Sequence, residues 1–237
     1  NEFKKQNPQH NVVLAVNKRM RPLLKDMPNI ETIDVERMWI DNAEIAKRVV
    51  SINAVEGIPD RYEQGTIPKP EKNWVQIYCD GLNVPYSEEF PYKISDEEKK
   101  FATEILRENK NKDKYKVLMI TNTHHANNAL SQDVWNKTNE FLGKYKDILR
   151  VVIANQQDCS LIDGDIHVAS ITIRQIIAMA DKVDCVVTSD ESYLYLANLF
   201  PHTKFVFIGA YRNNQHNVLY DNVEWVSNAS RFPCAPC

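Results

Sequence analysis

Hydrophobic positions recur with two periods along this chain, and the change from one to the other marks its elements. Residues 173–209, IRQIIAMADKVDCVVTSDESYLYLANLFPHTKFVFIG, read as helix, buried strand, tight turn, helix and second buried strand. The turn Thr188-Ser189-Asp190-Glu191-Ser192 falls where a strand ends and a helix begins. Upstream, spacing predicts strands over 117–121, 149–154 and 184–188. Between them it predicts a helix over 131–143, with Val134, Trp135, Thr138, Phe141 and Leu142 inward, and one over 172–181 opened by a Thr172/Gln175 capping box. Ser95 and Glu98 form another such box before Phe101, Ala102, Ile105 and Leu106, a helix expected to reach about 108. The lysine-rich stretch 109–116 reads as a solvated turn.

The first part follows the same grammar less clearly. Residues 11–16 and 31–35 read as strands, with a short helix over 20–25 between them closed by Pro28. Residues 42–53, with Ile45, Ala46, Val49, Val50 and Ile52, have helical spacing, as do 74–82. Pro59, Pro68 and Pro70 make 57–73 a loop, and 85–91 read as a linker. Strands alternating with helices imply right-handed βαβ units and a parallel sheet covered on both faces. Two α/β domains, 1–94 and 95–237, with a cleft between them are expected.

Composition narrows the function classes. With 26% charged and 43% apolar residues in 237, the chain reads as a globular protein. A net charge of −3 gives no electrostatic case for nucleic acid or an anionic membrane. No apolar run approaches the length of a transmembrane segment and no signal-peptide pattern opens the chain, so a cytoplasmic location is expected. The start at Asn1 and the stop at Cys237 read as those of a fragment. Five cysteines, Cys79, Cys159, Cys185, Cys234 and Cys237, are odd in number and scattered, against a disulfide framework. Only six glycines, and no Gly-rich phosphate loop, argue against a Rossmann dehydrogenase or a P-loop enzyme.

Candidate chemistry gathers at the 188–192 turn. Open α/β sheets bind ligands outside the carboxyl ends of their strands, and a helix N-terminus offers unpaired N–H groups to an anion. The expected ligand is therefore a nucleotide-sugar or a similar phosphate-bearing molecule.

Particular residues here carry a family resemblance. VLMITNT, the helix beginning LSQDVW, RVVIAN and, above all, the 172–209 run resemble the C-terminal domain of family 9 glycosyltransferases, the lipopolysaccharide heptosyltransferase family. The tail CAPC is similar to a Cys-x-Pro-Cys near the end of many members. Residues 11–94 resemble the later part of the family's N-terminal domain. The resemblance implies a GT-B fold of two Rossmann-like domains with parallel sheets, the N-terminal one incomplete. It also implies an inverting transfer of a sugar, by resemblance a heptose, from a nucleotide-diphosphate donor such as ADP-heptose to a glycan, lipid-linked or protein acceptor. No cofactor is required by that chemistry.

The same resemblance implies a donor-binding set of Thr123, Asn128, Asp158, Asp190, Glu191, Ser192 and Tyr195. Where the family reads Asp-Ser-Gly-Pro-x-His-Leu-Ala, this chain reads Asp190-Glu191-Ser192-Tyr193-Leu194-Tyr195-Leu196-Ala197. The aspartate that would bind sugar hydroxyls is kept, the glycine that lets the diphosphate approach is Ser192, and the histidine is Tyr195. Thr123 matches a hydroxyl residue after the first strand, the family's lysine falls on Asn128, and Asp158 matches a later carboxylate. Replacing that lysine removes a charge-assisted hydrogen bond of about 1.5 to 3 kcal/mol. Arg212 and either His124 or His125 could compensate. The family's general base is an aspartate in a Gly-Asp turn after its first strand, and the N-terminal half here has no such turn, so catalytic residues are unassigned. A chain with these departures is expected to bind donor better than it turns it over, and a non-catalytic nucleotide-sugar-binding or scaffold relative is the alternative.

Each of these residues also has a plainer role open to it. Asp190 fits a helix N-cap, Thr123 a turn hydroxyl, and His124-His125 a solvent-facing loop. Tyr193 and Tyr195 fall on different faces of a short helix, so at most one lines a cleft. No metal site is expected. Cys234 and Cys237 are half of a clamp, in a region where some protein-heptosylating relatives bind iron, and a closed site takes four ligands.

Overall fold

The computed structural model describes residues 5–9, 11–16, 18, 21–25, 30–34, 76, 79, 83–87, 92–122, 130–154, 162, 164–189, 191–209 and 220–227. The chain divides into two compact units, Asn1–Lys93 and Ile94–Cys237.

In the first unit, strand β1 (Val12–Val16), helix α1 (Arg21–Leu24) and strand β2 (Ile30–Asp34) form a βαβ step. The two strands pair in parallel from Val12 opposite Ile30 to Val16 opposite Asp34, as their apolar runs predict. The expected helix over 42–53 and loop over 57–73 lie outside the described residues. Of the expected helix over 74–82, only Gln76 and Cys79 are described, and both are helical.

The second unit opens with α2 (Asp96–Leu106), whose Ser95/Glu98 capping box forms as the sequence requires. It stops short of the expected residue 108 because Arg107 turns into the left-handed region, φ 49°. A one-turn helix, α3 (Glu108–Asn111), follows. Strand β3 (Tyr115–Ile120) starts earlier than its apolar residues suggest. Tyr115 and Lys116 leave the expected solvated turn and join the sheet, the Tyr115 N–H donating to Asp147 O at 2.8 Å.

After β3 come α4 (Gln132–Leu142), β4 (Ile148–Ile153), β5 (Ile166–Val168), α5 (Ile173–Ala180) and β6 (Cys185–Thr188). A 3₁₀ helix (Glu191–Asn198), β7 (Lys204–Gly209) and β8 (Val223–Ser227) complete the described elements. The six strands are all parallel, in the order β5-β4-β3-β6-β7-β8. This is the doubly wound, Rossmann-like order, and its direction reverses between β3 and β6.

Strand alternation sets the two layers of the core. Val117, Met119, Val152, Cys185 and Val187 pack with Trp135 of α4 on one face. Leu118, Ile120, Val151, Ile153 and Val186 alternate with them and are fully buried. Helix α5 packs against α2.

Three expectations change at this level. Phe141 is 56% exposed and stands edge-on to Tyr145 at 5.7 Å, while Asn139 is fully buried. Val134, Trp135, Thr138 and Leu142 face inward as expected, and Asn139 takes the place of Phe141 in that face, its O and Oδ1 accepting from Arg150 Nη1 at 3.2 and 3.4 Å. The segment after β6 is a 3₁₀ helix where an α-helix was expected. Its buried residues Leu194 and Ala197, with Phe200 beyond, recur every third position, which matches a three-residue turn. Strands β5 and β8 are additional to the expected set.

Candidate functional site

Strands β3 and β6 are neighbours and end together, with Ile120 opposite Thr188. The strand order reverses between them, and in open α/β sheets such a reversal is the usual place for ligands. The β4 end adjoins on the other side of β3, with Ile153 opposite Ile120. Thr121 closes this rim, its N–H and its Oγ1 each donating to Ile153 O at 3.0 Å.

On β6 the rim is made of hydroxyls. Cys185, Val186 and Val187 are apolar and buried, and the strand then turns polar while still inside, with Thr188 at 0% and Ser189 at 1% exposure. The Ser189 hydroxyl is buried and finds no hydrogen-bond partner among the described residues. The 3₁₀ helix starts two residues later, at Glu191. It is held in place from behind by Asn222, whose Nδ2 lies 3.1 Å from Ala197 O, 3.1 Å from Phe200 O and 2.8 Å from Thr203 O. Thr203 Oγ1 in turn lies 3.1 Å from both Ala180 O and Val183 O, fixing this corner to the end of α5.

Of the expected donor-binding set, Glu191, Ser192 and Tyr195 are brought together on this 3₁₀ helix directly after β6. Ser192 is exposed, Tyr195 is half-buried, and Tyr193 packs inward. Thr123, Asn128, Asp158 and Asp190 lie outside the described residues, as do His124, His125, Arg212, Cys234 and Cys237. Among the described residues no group of three or more His, Cys, Asp or Glu could hold a metal ion. Ser189 lies in the expected turn but is not among the expected donor contacts. The available signal was a hydroxyl pair closing an otherwise apolar strand, CVVTS.

Tyr115, Asp165 and Cys185, whose ionisations are displaced, sit at the opposite, amino ends of the strands. Burial, reinforced by the Asp184 charge, pushes the Cys185 thiol up to about 11. Burial with the same carboxylate and Cys185 raises Tyr115 above its ordinary value. Asp184 Oδ2 accepts from the Lys116 N–H at 2.7 Å, which makes it a register pin between β3 and β6. Those groups stabilise the sheet and are remote in the fold from the carboxyl rim.

No protein-family model matches the sequence, and no curated protein matches it. Solved structures do resemble the chain. The ADP-heptose lps heptosyltransferase II of E. coli superposes with a TM-score of 0.59 at 14% identity, over 95% of this chain and 83% of that one. A family 9 glycosyl transferase from Veillonella parvula DSM 2008 gives a TM-score of 0.64 at 10% identity, over 96% and 80%. The E. coli heptosyltransferase WaaC with ADP-2-deoxy-2-fluoro heptose gives 0.52 at 7% identity, over 94% and 85%. At such identities the likeness is one of fold, and the chain is an α/β protein with the GT-B, heptosyltransferase-like fold seen in family 9 glycosyltransferase structures.

Proposed function

We propose that the second unit binds the nucleotide-sugar donor of a glycosyl transfer at the carboxyl ends of β3 and β6. One observation carries this reading: β6 ends at the reversal of strand order in two buried hydroxyl residues, Thr188 and Ser189, followed at once by a helix N-terminus. The E. coli WaaC structures that share the fold hold ADP-2-deoxy-2-fluoro heptose and ADP. A donor of the ADP-heptose class follows from that likeness, with residues 1–94 serving the glycan, lipid-linked or protein acceptor and 95–237 the donor. Thr123, Asn128, Asp158, Asp190, Glu191, Ser192 and Tyr195 are the donor contacts in this proposal.

Transfer with inversion needs a group to take the acceptor hydroxyl's proton. The residue substitutions Asn128, Ser192 and Tyr195 favour a second reading, in which the chain binds the nucleotide-sugar without turning it over. Incubating the purified chain with ADP-heptose and a heptose-accepting glycolipid, and following ADP release, separates the two. Release of ADP that depends on the acceptor supports transfer, and tight binding with no release supports the second reading.

A further inference from the structure

We propose that Ser189 is a positioning residue for the sugar of the bound donor, with its hydroxyl reserved for a ligand hydroxyl. The inference rests on the nucleotide-sugar reading and adds a residue and a specificity to it. Ser189 is 1% exposed and its Oγ has no hydrogen-bond partner among the described residues. Buried polar groups are nearly always paired, because an unpaired one forfeits its hydration with no return. Neighbouring hydroxyls obey that rule: Thr121 Oγ1 donates to Ile153 O, and Thr203 Oγ1 is matched by two carbonyls. Ser189 breaks it at the carboxyl end of β6, where the strand order reverses and where open α/β sheets take their ligands.

Charge selects the sugar over the diphosphate. Asp190 and Glu191 follow Ser189 directly in sequence. Two carboxylates repel a phosphate placed beside them, whereas a sugar hydroxyl can donate to a carboxylate and accept from a serine hydroxyl at the same time. A hydroxyl that can both donate and accept is thus suited to a polyol.

The test is calorimetric titration of the full chain and its Ser189→Ala and Ser189→Cys variants with ADP-heptose and with ADP, alongside thermal unfolding without ligand. The Ser189→Ala chain should melt at the same temperature as the parent or about 2 to 4 °C higher, having lost an unpaired buried group. Its affinity for ADP-heptose should fall about 3- to 10-fold, one hydrogen bond's worth, with ADP unaffected. Ser189→Cys, a near-isostere with a weak donor, should fall between. An equal loss for both ligands, or a lower melting temperature with ADP-heptose affinity intact, overturns the assignment while leaving the site standing. A parent chain that binds neither ligand overturns the site and this inference together.

Discussion

Glu98 and Arg174, 76 positions apart in sequence, form a buried ion pair that joins α2 to α5. Arg174 Nε donates to Glu98 Oε1, and Nη2 donates to Oε2 at 3.1 Å. The same Oε2 accepts from the Ser95 N–H at 2.8 Å, so one carboxylate closes the capping box and anchors the second helix. With side-chain exposures of 6% for Arg174 and 13% for Glu98, neither charge has much water to fall back on.

Removing one partner should therefore cost far more than removing both. Arg174→Met leaves a buried carboxylate and is expected to lose about 3 to 5 kcal/mol. The double variant Glu98→Met/Arg174→Met should recover most of that, less about 1 kcal/mol for the broken capping box. Urea unfolding of the three chains measures both differences.

Acid should weaken the β4–β5 corner. Burial alone would raise Asp165, but hydrogen bonds from the Arg150 side chain and backbone, with the charges of Arg150 and Lys114, hold its carboxyl below the ordinary 3.8. A carboxyl depressed in the folded state contributes stability above its unfolded value and loses it as pH falls through the folded one. Unfolding free energy should thus decline as pH is lowered through about 4, and Asp165→Asn should flatten that slope while lowering stability at pH 7. An unchanged slope in the variant would mean that the Arg150 pair, 3.0 Å apart, is not what titrates.

Cys185 should be inert in the folded chain. Its thiol is 8% exposed and pushed up to about 11, so almost none is thiolate near neutrality. Mass-spectrometric mapping after iodoacetamide at pH 8 should find Cys185 unlabelled under native conditions and labelled in urea. Rapid native labelling would contradict the packing of β6.

Asn222→Ala should loosen the 3₁₀ helix at the rim. Its amide serves carbonyls of Ala197, Phe200 and Thr203; Phe200 O keeps the Thr203 N–H, so the loss falls on the other two and should cost about 1 to 3 kcal/mol. Hydrogen exchange should quicken in residues 196–205 first, because Asn222 is the side chain that gathers the carbonyls of Ala197, Phe200 and Thr203, while Thr203 Oγ1 still anchors the corner to α5.

The doubly wound plan was legible because its signals are local. Two capping boxes, Ser95/Glu98 and Thr172/Gln175, formed as written, and the apolar runs of β3, β4, β6 and β7 are strands buried between helices. Strand β5 escaped notice because three residues are too few to set a period. Strand β8 lies at the sheet edge, where Trp225 packs at a tilt against Phe207 at 4.7 Å and a half-exposed strand gives only a faint pattern. Phe141 and Asn139 exchanged roles through Arg150, a residue on another element that no helical wheel contains. At the site, the turn was readable as a strand-to-helix junction, but Ser189 was not, since only the fold reveals that its hydroxyl is buried and unpaired.

Ligand-dependent melting addresses the central assignment most directly. The chain would be heated with ADP, UDP and ADP-heptose at millimolar concentration, with Ser189→Ala in parallel. A ligand present at 100 times its dissociation constant adds about 2.7 kcal/mol to the folded state. ADP-heptose should raise the melting temperature by several degrees and more than ADP does. No shift with any of the three would contradict a nucleotide-sugar site at the carboxyl ends of β3 and β6.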